Sequence, residues 1–145
     1  MFLFSFKAFI LAGGLLGGAA REPNLPPIVI NDNRRPAGVF ENGTLTLRLR
    51  AGVGLWRPEG ETGPAVRIEA FGEGESPLTV PAPLVRVPEG THIAASVRNE
   101  LASPIRVHGL CERGAGACAP VEVPPGETRE VRFKTGPAGT YHYWA

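Results

Sequence analysis

Residues 105–145 read IRVHGLCERGAGACAPVEVPPGETREVRFKTGPAGTYHYWA, and the fold turns on how this stretch is parsed. Two short alternating segments frame a cysteine-bearing loop and a proline–glycine turn. Side chains alternate across a strand, so Arg106 and His108 fall on one face of the first segment, opposite Ile105 and Val107. In residues 140–145 the same rule sets Thr140, His142 and Trp144 against Tyr141, Tyr143 and Ala145. If the two segments neighbour each other in one sheet, Arg106, His108, His142 and Trp144 form one polar–aromatic patch. Any chemistry of the chain is expected there.

The upstream sequence repeats the texture. Residues 44–50 (TLTLRLR) alternate, with Leu45, Leu47 and Leu49 on one face, the pattern of a half-buried antiparallel strand. Asn42-Gly43 before them is a turn signal, and with Thr44 it forms an N-x-Thr sequon. Residues 51–64 carry four glycines and two prolines and read as a loop, with Trp56 tucked against the body. Residues 65–71 alternate again, Val66, Ile68 and Ala70 forming the apolar set. In residues 91–98, Ile93, Ala95 and Val97 face inward and His92 faces solvent. Nineteen glycines and fifteen prolines punctuate these short runs, and no segment has helical periodicity of useful length. Six or seven short strands imply an all-β Greek-key sandwich.

The composition, 43% hydrophobic and 20% charged over 145 residues, suits one globular domain. A formal net charge of +1 gives no electrostatic case for nucleic acid or an acidic membrane surface. Residues 1–20 are apolar apart from Lys7 and end in small residues before Arg21. They read as a secretory signal, the alternative being an uncleaved anchor, and imply a secreted or periplasmic location. Residues 21–37 read as an irregular, proline-rich leader, with residues 28–30 able to lie along the first sheet. The domain proper is then 38–145.

In a secreted chain the even pair Cys111 and Cys118 reads as a disulfide closing a small loop, a staple of about 2–3 kcal/mol. A blue-copper cysteine is the alternative, but neither thiol has flanking histidines. No nucleophile elbow, P-loop, zinc-protease or dinucleotide signature is present. Glu73, Glu75, Glu127 and Glu130 read as solvated surface.

The order of an HGL strand (His108–Leu110), a PPGET turn, a VRF strand and an AGTYHY strand resembles the first plastocyanin-like (cupredoxin) domain of multicopper oxidases. The run PAPLVRVPEG at residues 81–90, with the strand ending Val97-Arg98-Asn99, resembles the same domain. The resemblance implies a cupredoxin-like β-sandwich, copper as cofactor, oxidoreductase activity for a longer parent, and further cupredoxin domains as partners. The family's trinuclear copper site takes two His-x-His pairs from this domain. Here His108 alone matches: Arg106 stands at the first ligand position, Trp144 at the third, and the sequence ends one residue short of the fourth. His142 occupies a position the family usually fills with an aromatic residue. By this resemblance the sequence is a fragment without its final strand. His108, and more weakly His142, are the candidate metal ligands, and Arg106 and Trp144 are candidate interface residues. The competing reading is a non-enzymatic docking or scaffold sandwich whose metal site has decayed.

Overall fold

The computed structural model describes residues 24–114 and 116–145, so the expected signal segment at 1–20 lies outside the described residues. Nine strands and no helix occur among the described residues: β1 (Val29–Ile30), β2 (Val39–Glu41), β3 (Thr44–Trp56), β4 (Val66–Glu73), β5 (Leu78–Val80), β6 (His92–Asn99), β7 (Ile105–Val107), β8 (Val121–Val123) and β9 (Thr128–Lys134). Seven of them form one mixed sheet, in the order β1-β5-β4-β3-β6-β9 with β2 beside β3. The β7–β8 hairpin packs over it as a second, smaller layer. The expected all-β sandwich is therefore the architecture observed.

β3 is the hub. Its first half is zipped to β2 on one edge and, in parallel, to β6 on the other, with Leu45 opposite Ile93 and Leu47 opposite Ala95. Period two then sends Leu45, Leu47, Leu49 and Ala51 from β3 and Ile93, Ala95 and Val97 from β6 into one buried layer. Val107, Leu110 and Val123 of the hairpin layer close that core from the other side. Full burial of each such leucine or valine contributes about 1.5–3 kcal/mol of apolar transfer free energy.

Three expectations are corrected. Residues 51–56 are strand, not loop: β3 continues through Gly52 and Gly54 to Trp56 and pairs with β4. At Gly54 the reason for a glycine is that another chain segment crosses tightly over the strand. A Cβ at Gly54 would press on Ile28 and the Pro26 carbonyl, and one at Gly52 would touch Leu78. The phase of β4 is also the reverse of the apolar reading. Phe71, opposite Ala51, enters the core, while Val66 on the other face is exposed, because register with β3 overrides the local hydrophobic count. Lastly, residues 140–145 keep strand-like alternation but pair only through a single bridge, Trp144 to His108. Within the expected leader, β1 adds in parallel to β5, and Ile28 is buried beneath it.

The two layers are tied by one polar side chain. Asn99, at the end of β6, is 0% exposed. Its Nδ2 donates to the carbonyls of Ser103 (2.8 Å) and Val123 (2.9 Å), and its Oδ1 accepts from the Leu101 N–H (2.9 Å). A buried amide is retained only when its donors and acceptor are matched in this way.

Candidate functional site

β7 and β8 set the first half of the site. Val107 is opposite Val121 and Ile105 opposite Val123, which buries that face and turns Arg106 and Glu122 outward. Arg106 Nε donates to Glu122 Oε1 at 2.9 Å, both side chains well exposed. His108 follows on the Arg106 side of the strand. Its N–H donates to the Trp144 carbonyl at 2.8 Å, and the Trp144 N–H returns a 3.3 Å bond to the His108 carbonyl.

That bridge aligns the side chains as well as the backbones. The His108 imidazole lies flat on the Trp144 indole, with ring centroids 5.0 Å apart and planes within 5°. Trp144 remains 53% exposed and Tyr141, nearby in the chain, 49%. Tyr143, on the opposite phase, turns inward. Its ring meets Phe71 edge-on at 5.6 Å, and its hydroxyl donates to the Pro83 carbonyl at 2.7 Å. Burial, helped by the Glu73 carboxylate, pushes the Tyr143 phenol well above its ordinary 10.0, so it stays a neutral donor. The alternation anchors Tyr143 and leaves its neighbours facing outward.

The structure thus brings His108 and Trp144 together. His142 contributes through its backbone: its carbonyl accepts from Arg113 Nη2 at 3.0 Å, and its side chain is exposed. Arg106 is engaged with Glu122 rather than with the stacked pair. His92 sits on β6 opposite Lys134, exposed. Cys111 and Cys118 are joined in a disulfide, so neither offers a thiolate. Among the described residues no group of three or more His, Cys, Asp or Glu side chains is placed to hold a metal ion. Copper needs two or three converging imidazole or thiolate donors. The residues present therefore do not fit a copper centre held by this chain alone.

Sequence reasoning missed Arg113. Half-buried, it reaches from the disulfide loop to the C-terminal segment: Nη2 also donates to the Gly109 carbonyl at 2.9 Å, and the guanidinium lies 5.1 Å from the Tyr141 ring centroid. Beside it lies a cavity of about 390 Å³, lined by Leu47, Val85, Ile93, Leu110 and Phe133 among others. No local motif announces such a residue, because two of its three partners lie 28 or more residues away.

Residues 78–145 match the family model described as Multicopper oxidase. No curated protein matches the chain. Among solved structures, the laccase from Pediococcus acidilactici Pa5930 is similar at 17% identity and a TM-score of 0.46, covering 79% of this chain and 26% of that one. A multi-copper oxidase from Pediococcus acidilactici is similar at 15% identity and a TM-score of 0.44, covering 80% and 26%. The chain thus spans about a quarter of the length of these proteins.

Proposed function

We propose that this chain, whose residues 78–145 match the Multicopper oxidase family model, serves as a non-redox cupredoxin-like domain of a secreted or periplasmic multicopper-oxidase-like protein. Its role is to dock a further cupredoxin domain through the His108–Trp144 face. The observation that carries this reading is the stacked pair itself. A half-exposed tryptophan, held rigid by a two-bond backbone bridge and backed by a flat imidazole, is a preorganised anchor of the kind that dominates interfaces. Oxidation of a donor and reduction of oxygen, where the parent performs them, then belong to its other domains. Copper bound near this face would be shared, with His108 as the one imidazole this chain supplies from the family position.

The test is a copper titration of the purified chain, followed by purification of the parent from its host with and without Trp144→Ala. The expected results are substoichiometric copper and no intense blue absorption for the chain. Trp144→Ala should lose contact with the neighbouring cupredoxin domain while the copper content of that domain stays unchanged. A stoichiometric or blue copper site in the isolated chain would overturn the reading.

A further inference from the structure

The cysteine-bearing loop and the segment leading to Trp144 touch at three places, and each is of a kind that tolerates no slack. A Cβ at Gly109 would fall on the His142 carbonyl oxygen, so the strand end and residue 142 are in backbone contact. A Cβ at Gly136 would fall on the Arg113 carbonyl, so the loop backbone lies directly against the start of the segment. Gly109 also has a φ of 83°, which side-chain-bearing residues rarely adopt. Between these two contacts the Arg113 guanidinium ties the Gly109 and His142 carbonyls together through one nitrogen and covers the Tyr141 ring. Arg113 itself is two residues from Cys111, inside the loop that the Cys111–Cys118 bond closes.

We infer that Arg113 is a positioning residue whose clamp on residues 136–142 keeps Trp144 stacked on His108, and that the Cys111–Cys118 disulfide locks the clamp. Opening the disulfide releases the loop around Arg113, withdraws the guanidinium from the His142 carbonyl and leaves the indole held to His108 only through the backbone bridge. Both cysteines are partly exposed, and Cys118 lies between exposed Ala117 and Ala119, so a small dithiol can reach its sulfur. One dithiol thiolate attacks a cysteine sulfur to give a mixed disulfide. Its second thiol then closes on the first, leaving two protein thiols and an oxidised cyclic disulfide. Two electrons and two protons pass to the chain, and no other reactant is needed. That the face so released is a docking face rests on the function proposed above; the clamp itself does not.

Other anchors on the segment bound the effect. Glu89 Oε2 accepts from the Ala138 N–H at 3.1 Å, and the Tyr143 hydroxyl still reaches Pro83. Release is therefore local: residues 139–142 and Trp144 loosen while the sandwich stays folded.

The test follows the imidazole protons of His108 by NMR in the full chain. Stacking under an indole shifts them upfield through the ring current, and Trp144→Phe identifies that shift. The shift should collapse toward the free-histidine position on adding dithiothreitol, in Cys111→Ser/Cys118→Ser, and in Arg113→Ala with the disulfide intact. Arg113→Lys, which keeps a donor for both carbonyls, should restore part of it. Amide signals of β6 and β9 report whether the core survives. If reduction unfolds the core, Arg113→Ala decides alone. An unchanged His108 shift in that variant, or loss of the core signals in it, overturns the clamp. Partner association, measured on the same samples, reads the docking function separately: a responsive His108 without any partner would sink docking and leave the clamp standing.

Discussion

Replacing Asn99 by alanine should destabilise the fold strongly, because this side chain at the end of β6 ties the large sheet to the hairpin layer. The side chain makes three bonds, and they are not equivalent. Those to the Val123 carbonyl and from the Leu101 N–H are fully buried, whereas the Ser103 carbonyl is partly wet. Orphaning a buried donor or acceptor costs about 1–3 kcal/mol, and losing a bond whose partner can turn to water about 0.5 kcal/mol; taking about 1.5 kcal/mol for each of the two buried bonds, the sum is about 3.5 kcal/mol. That is a large fraction of the 5–15 kcal/mol that holds an ordinary domain, by the usual range of about 0.05–0.15 kcal/mol per residue. With a urea m-value of about 1.5 kcal/mol/M, the unfolding midpoint should fall by about 2 M. The assay is urea denaturation followed by circular dichroism, with Asn99→Asp as the isosteric control. The aspartate leaves no cavity, yet turns a carboxylate toward two carbonyl oxygens, so at neutral pH it should be at least as damaging as alanine. A midpoint shift under about 0.5 M for both variants would refute the argument that this amide fastens the two layers.

Two further outcomes follow from the same geometry. Because the Tyr143 phenol titrates higher in the folded chain than its ordinary 10.0, the native state keeps a proton that the unfolded chain gives up. Its contribution is therefore complete below pH 10.0 and drains away as pH rises above it, so alkaline unfolding of the parent chain should steepen there and Tyr143→Phe should flatten it. Arg106→Ala should change stability by no more than about 0.5 kcal/mol in chemical denaturation, because its ion pair with Glu122 lies in solvent.

What could be read from the sequence, and what could not, follows from where the ordering information resides. Leu45–Leu47–Leu49 and Ile93–Ala95–Val97 declare strand and facing at once, because one sheet face is dry and the other wet. The second half of β3 hides, since Gly52 and Gly54 look like loop residues, and at Gly54 the reason appears only when Ile28 is seen passing over it. β4 misleads for a related reason: its apolar count favours Val66, Ile68 and Ala70, but the register with β3 turns Phe71 inward. At the site, the strand period puts His108 and Trp144 on faces that can meet, and one backbone bridge brings them into contact. Arg113 stays invisible because its hydrogen-bond acceptors are main-chain oxygens, which carry no residue identity, and Tyr141 lies 28 residues away.

The thirteen-residue strand β3 also bears on how the chain acquires its shape in time. Its partners on one edge arrive early, through β2 and β4, but the parallel partner β6 begins 48 positions after β3 begins, and β9 seals β6 only after residue 128. Until then the leucine row of β3 has no lid. Native pairings this distant are slow to form, since loop-closure entropy is spent before any contact rewards it. A nascent chain stalled between β5 and β6 therefore exposes its stickiest surface for the longest interval. Synonymous or folding-rate changes in residues 81–91 should govern yield more strongly than changes of equal thermodynamic weight elsewhere.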